Sequence, residues 1–139
     1  MIIKKYRHQK EQSYKLNKLV QHIKLPSILY DYDILICYSN ANEIVGYAVV
    51  EHGCYSYKNI SPKYYSNVKY NLAVLEIYDY EQRKGYGTFI MNNIKNIYEL
   101  NKENKMIIQC DVDVMPFYIN NGAFEVPDSY FDDEILMII

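Results

Sequence analysis

Apolar residues recur along this chain at two different spacings, and the places where the spacing changes predict its elements. Met1-Ile2-Ile3 opens a short strand. From Tyr6 to Lys24 the chain is polar, with apolar residues at Leu16, Leu19, Val20 and Ile23. That spacing predicts a helix, which Pro26 closes. Asp33 to Tyr38 and Ile44 to Val50 read as two strands, and the polar Ser39–Glu43 linker between them carries a hairpin signal. His52 to Tyr70, with Gly53, Pro62 and several Ser and Asn, predicts a long loop crowded with Tyr55, Tyr57, Tyr64 and Tyr65.

Leu72 to Tyr78 is apolar on both alternating faces, as a central strand is. A glycine turn follows, and then Ile90, Ile94, Ile97 and Tyr98 fall on one face of a helix running to about Asn101. Lys105 to Val112 is a further strand, and Met115 to Asn121 a short helix ended by Gly122. Phe124 onward leads through Pro127-Asp128-Ser129 to a last strand at Glu134–Ile139. The expected fold is α/β (α+β): a twisted, mixed and mostly antiparallel sheet of six or seven strands with about four helices.

Composition narrows this picture. The 139 residues, half of them hydrophobic, suit one domain spanning the whole chain. A net charge of -2 argues against a general nucleic-acid binder. Cys37, Cys54 and Cys110 are widely spaced with no CxxC pair, which fits reduced thiols better than a disulfide frame or a zinc site. The three histidines lie near no cluster of metal-ligand spacing, so no metal is expected. With no leader and no run of 18 apolar residues, the protein is expected to be cytoplasmic and not membrane-bound. The 17 tyrosines make any single one weak evidence.

The chemistry concentrates in Glu81-Gln82-Arg83-Lys84-Gly85-Tyr86-Gly87-Thr88, where a strand ends and a helix begins. Free N–H groups and the positive end of the helix dipole make such a terminus a site for an anion, here a pyrophosphate. A P-loop string is absent, and a dinucleotide fingerprint would need a third glycine. A plain strand-to-helix turn, using glycine for tight geometry, is the other reading of two glycines alone. Gln82-Arg83-Lys84-Gly85-Tyr86-Gly87 fits the pattern Q/R-x-x-G-x-G/A, and Met91-Asn92-Asn93-Ile94-Lys95 extends the match. Some thirty residues on stands Pro116-Phe117-Tyr118-Ile119-Asn120-Asn121-Gly122-Ala123-Phe124. On these segments the chain resembles the GNAT (Gcn5-related) N-acetyltransferase superfamily, from about Leu72 to Phe124. Ala123 departs from the second signature, where the family carries an aromatic, and Phe124 follows one position on.

The resemblance implies acetyl-CoA as cosubstrate and transfer of its acetyl group to a primary amine by direct attack in a ternary complex. It implies that pantetheine pairs with the strand Leu75-Glu76-Ile77-Tyr78, and that backbone N–H groups from Arg83 through Thr88 hold the pyrophosphate. An N–H near Ile77 would polarise the thioester oxygen. Tyr118 would protonate the departing sulfur, since a phenol of pKa about 10 is neutral at pH 7. Histone-type relatives place a glutamate where this chain has Asn71. Glu76 is the acid nearest the acetyl position the resemblance implies, and alternation puts it on one face with Leu72 and Val74. If that face lines the groove Glu76 is the candidate base, and otherwise it is a strand carboxylate paired with a neighbouring Lys. Asp79, Asp111 and Asp113 are further candidates, and water alone is another route. The Tyr55–Tyr65 loop and the first helix would shape a pocket for a small-molecule or protein amine. A non-catalytic acyl-CoA-binding or regulatory domain is the rival reading, favoured by Asn71, and an interaction domain with an incidental turn is a third. The apolar last strand suits either the core or a homodimer contact.

Overall fold

A computed structural model describes residues 1–8, 30–55, 60–78 and 84–139, with the side chain of His8 left aside. Within it, β1 (Ile2–His8), β2 (Tyr32–Tyr38), β3 (Ile44–Glu51), β4 (Val68–Ile77), β5 (Lys105–Asp111), β6 (Phe124–Glu125) and β7 (Glu134–Ile138) form one sheet in the order β1-β2-β3-β4-β5-β7-β6. Every neighbouring pair is antiparallel except β4 and β5, which run parallel. The helix α1 (Tyr86–Ile97) makes the crossover between those two, as parallel strands require. A shorter helix, α2 (Met115–Asn120), follows β5. The described residues thus contain two α-helices, fewer than the four expected, alongside 3-10 turns at Pro62–Tyr65 and Val112–Val114. No helix among them is long and apolar enough to cross a membrane.

Fully buried Ile90, Met91 and Ile94 dock α1 on a core that includes Leu35, Ala48, Leu72, Met106 and Met137. At about 2 kcal/mol per buried aliphatic side chain, these three residues contribute about 6 kcal/mol to docking this twelve-residue helix. The helix stops at Ile97, short of the expected Asn101. Glu99 turns left-handed (φ 50°), so the Leu100 and Glu99 N–H groups reach back to the carbonyls of Lys95 and Asn96. This is the Schellman closure, made here without glycine.

Three further boundaries depart from the expectations. β1 continues through His8, so Tyr6 to His8 are strand and not helix, and the remainder of the expected first helix lies outside the described residues. β4 begins at Val68, inside the stretch expected to be loop, because Asn71 and Leu72 pair with both β3 and β5. The third concerns the faces of β4. Its register against β3 runs Glu51↔Asn71, Val50↔Leu72, then Val49↔Val74, which leaves Ala73 as an extra residue. A bulge of this kind bends its strand and resets the alternation. Tyr70, Leu72, Leu75 and Ile77 consequently pack on the α1 face, while Ala73 and Val74 pack with Tyr47 and Val49 on the other. Glu76 therefore does not share a face with Leu72. β7 lies inside the sheet, paired to β5 along its length and to β6 at Met137 and Ile138, and it is buried.

A polar pin crosses the α1 face. The fully buried Asp33 carboxylate accepts from the Tyr98 hydroxyl (2.7 Å) and lies 2.7 Å from His52 Nε2 and 3.6 Å from Arg7 Nη1. Burial first, and then the hydrogen bond to Asp33, push the Tyr98 phenol far above its usual range. The folded state therefore holds this phenol neutral, while the unfolded chain ionises it near pH 10. Its contribution is complete below about pH 10 and declines as the pH rises beyond that. We expect Tyr98→Phe to cost about 2 kcal/mol near neutral pH. In urea unfolding, the wild type should lose more stability than Tyr98→Phe when the pH is raised above about 10.

Candidate functional site

The ladder between β4 and β5 ends at Leu72↔Ile108, yet β4 continues to Ile77 and β5 to Asp111. The two strands diverge immediately before the bulge at Ala73, and a V-shaped cleft of about 550 Å³ opens beside the stretch of β4 that follows. Leu75 and Ile77 form one wall. Asp113, Val114, Phe117 and Tyr118, from the turn after β5 and from α2, form the opposite wall. Gly85, Tyr86, Gly87 and Thr88 close one end. Tyr78 donates its N–H to Val45 of β3 (3.0 Å), so the alternation of the strand turns the Ile77 amide away from β3, toward the cleft side.

The closing end is the N-terminus of α1. Gly85 is its N-cap residue, in the left-handed region (φ 82°), with no side-chain cap and no acidic residue in the first turn. The first-turn N–H groups of a helix have no partner within it. Here they stand at the mouth of the cleft, with the positive end of the dipole behind them. The absence of a Cβ matters differently at the two glycines. One added at Gly85 would meet nothing within 4 Å, so only its backbone conformation calls for glycine. One added at Gly87 would come within 3.1 Å of the Phe117 ring across the cleft.

Tyr118 is 7% exposed and packs edge-on against Phe117 (centroids 5.1 Å apart). Burial, and next the neighbouring Cys110, raise its phenol above the ordinary range, so it is a neutral donor throughout the physiological range. Burial also raises the Cys110 thiol, to about 11, with Asp111 and Glu134 adding to the effect. A thiol of that kind is no nucleophile at neutral pH.

The residues singled out in the sequence divide into three groups. Ile77, Gly85, Tyr86, Gly87, Thr88 and Tyr118 meet around the cleft. Glu76 and Tyr78 lie outside it: Glu76 is exposed and accepts a hydrogen bond from Tyr47 (2.7 Å), and Tyr78 packs on the face away from α1. Lys84 is exposed beside the turn. Gln82, Arg83 and Asp79 lie outside the described residues, as does Tyr57. Tyr64 packs beside Ile107, Val126, Leu136 and Ile138. Among the described residues no His, Cys, Asp and Glu group could hold a metal. Two features were not foreseen. Val114 lines the cleft, and Glu51 is a buried carboxylate held by Asn71 Nδ2 (2.9 Å) and the Tyr55 hydroxyl (2.5 Å). A charged residue at the end of a strand reads in sequence as a solvated end, so nothing marked Glu51 out.

A sheet opened between parallel neighbours, with an uncapped helix N-terminus at the opening, defines the class of this fold. No family model matches the sequence, and neither does any curated protein. Solved structures do match, and the fold is that of the GNAT acetyltransferases. Escherichia coli ElaA aligns over 99% of both chains with a TM-score of 0.63 at 16% identity. A GNAT family acetyltransferase from Elizabethkingia anophelis with acetyl-CoA bound aligns over 99% of this chain and 97% of its own, with a TM-score of 0.55 at 14% identity. Tetrahymena GCN5 aligns over 77% of this chain and 66% of its own, with a TM-score of 0.53 at 19% identity. At such identities the likeness defines the fold, and the reaction has to be argued from the residues of the site.

The two glycines should respond differently to alanine. Gly85→Ala forces a side chain into the left-handed region and is expected to cost about 1 kcal/mol. Gly87→Ala gains about as much helix propensity as it loses in moving the Phe117 ring, so a change within about 0.5 kcal/mol is expected. Thermal unfolding of both variants checks the contrast.

Proposed function

We propose that this chain transfers an acetyl group from acetyl-CoA to a primary amine by direct attack in a ternary complex. The observation that carries this reading is the divergence of β4 from β5 after Leu72, with the uncapped start of α1 at one end of the opening and Tyr118 on its wall. An extended, amide-bearing arm fits such a gap because strand backbone beyond the ladder, as at Leu75, offers it hydrogen bonds. A diphosphate fits the α1 N-terminus, where glycines at 85 and 87 let main-chain N–H groups approach closely. Acetyl-CoA supplies the activated thioester, and the chain supplies position, polarisation and a proton.

In this reading the amide of Ile77 faces the thioester oxygen, and Tyr118 gives a proton to the sulfur as the C–S bond breaks. The attacking nitrogen forms the new C–N bond and sheds a proton, which offsets the one given to sulfur. Asp113 stands on the cleft wall and is exposed, so it serves the mouth of the cleft better than the reacting centre. The acceptor is a small-molecule amine or a protein amine.

A second reading, a non-catalytic acyl-CoA-binding or regulatory domain, draws on Asn71, which carries no proton-accepting group at the position where histone-type relatives have glutamate. Both readings require CoA to bind. At 100 times its dissociation constant, CoA should stabilise the protein by about 2.7 kcal/mol, with adenosine triphosphate giving less because it lacks the pantetheine arm. Thiol release from acetyl-CoA across a panel of amines then separates the two. For the enzyme, Tyr118→Phe is expected to lower release about 100-fold and leave the stabilisation by CoA unchanged. Stabilisation without thiol release would favour the binding domain, and no stabilisation would remove both.

A further inference from the structure

We infer that a second pocket, at the end of α1 away from the cleft, binds a nucleoside monophosphate, whether or not the chain transfers acetyl groups. This pocket of about 400 Å³ lies among the turn after α1, the start of β5, the end of α2, β6 and the residue after β7. None of its residues lines the cleft. Gly85 at the cleft and Lys95 at the pocket stand about 15 Å apart along one helix. A diphosphate held at the start of α1 is therefore not its occupant.

Charge sets the sign of the ligand. Lys95, Lys102 and Lys105 line the pocket, and no Asp or Glu does. No salt bridge among the described residues joins any of the three to a carboxylate. Glu99 and Glu103, close in sequence, are exposed outside the pocket. The helices account for only part of this excess. Lys95 lies in the last turn of α1, where a cation suits the dipole. Carbonyls at both helix ends are taken by the N–H groups of Tyr98, Glu99 and Leu100 after α1 and of Asn121, Gly122 and Ala123 after α2. Lys102 and Lys105 stand beyond either helix. A carboxylate would bring one charge to these three ammonium groups. A phosphomonoester brings about two at neutral pH, on three acceptor oxygens, and so answers them better.

The remaining lining suits a flat ring. Leu100 and Ile139, both half-buried against the core, are apolar. Phe124 is 46% exposed, with Lys105 Nζ 5.8 Å from its centroid. An aromatic ring left this open, with ammonium groups near it, fits a base stacked on the ring and a phosphate on the cations. Two amides supply the edge contacts. Asn121 is 6% exposed and gives its Nδ2 to the Phe117 carbonyl (2.9 Å), while Asn101 Oδ1 accepts from the Glu103 N–H (2.8 Å). That leaves one acceptor, Asn121 Oδ1, and one donor, Asn101 Nδ2. Adenine offers the complementary donor and acceptor side by side on one edge.

The test titrates the full chain with adenosine monophosphate, read by nuclear magnetic resonance of the backbone amides and by thermal shift, with and without saturating CoA. We expect shifts at Asn101–Lys105 and Asn121–Phe124 and a raised melting temperature, both unaffected by CoA. Adenosine and inorganic phosphate should each bind at least about tenfold more weakly, since each lacks part of the contacts. Replacing Lys102 and Lys105 together by Ala, and separately Phe124→Leu, should each weaken nucleotide binding about tenfold. Neither change should lower the melting temperature of the free protein or alter the response to CoA. Shifts centred on Gly85–Thr88 and lost when CoA is added would place the nucleotide in the cleft and overturn the assignment. So would a response to inorganic phosphate as strong as that to the nucleotide, no response at all, or full binding by the lysine variant. Pocket shifts with adenosine monophosphate in a protein that ignores CoA would remove the transfer reading and leave this site standing.

Discussion

One extra residue in β4 governs the architecture of this protein. Up to Leu72 the strand is an ordinary interior strand, hydrogen-bonded to β3 on one side and β5 on the other. At Ala73 the register against β3 slips by one, and the pairing with β5 has already ended. A bulge bends a strand and increases its local twist. Here the bend carries β4 with β3 and away from β5, and the space it leaves is the cleft. The same slip puts Leu75 and Ile77, and not Glu76, on the face that carries α1 and Tyr118. The position of the site and the identity of the residues that line it share this one cause.

The strands away from the bulge were legible in the sequence, and the reasons are local. β2, β3, β5 and β7 are runs rich in Ile, Val and Leu, bounded by polar or turn residues, and each lies where that pattern puts it. Helix α1 was legible from Ile90 and Ile94, which are buried as their spacing requires. What failed did so where a tertiary constraint replaced the local signal. Ala73 carries no mark of a bulge, so strict alternation placed Glu76 on a face with Leu72. The end of α1 uses Glu99 where glycine would be the readable sign. The start of β4 hides in Val68-Lys69-Tyr70-Asn71, which is polar enough to read as loop and becomes strand because both neighbours pair with it. The glycine turn, the strand with Leu75 and Ile77, and Phe117 and Tyr118 were visible through the resemblance, while Val114 had to come from the fold. Phe117 owes its place to α2, and Val114 to the short turn before it.

The two buried carboxylates show the same residue chemistry satisfied in two ways. Asp33 ties the end of α1 to β2 through Tyr98, with His52 and Arg7 on the solvent side, and Arg7 is half exposed. Charge there is compensated, and the group acts as a fastening at the end of the sheet away from the cleft. Glu51 is held instead by two neutral donors, Asn71 Nδ2 and the Tyr55 hydroxyl. An amide suits position 71, because its Nδ2 satisfies the buried carboxylate across the strand pair where a second carboxylate would repel it.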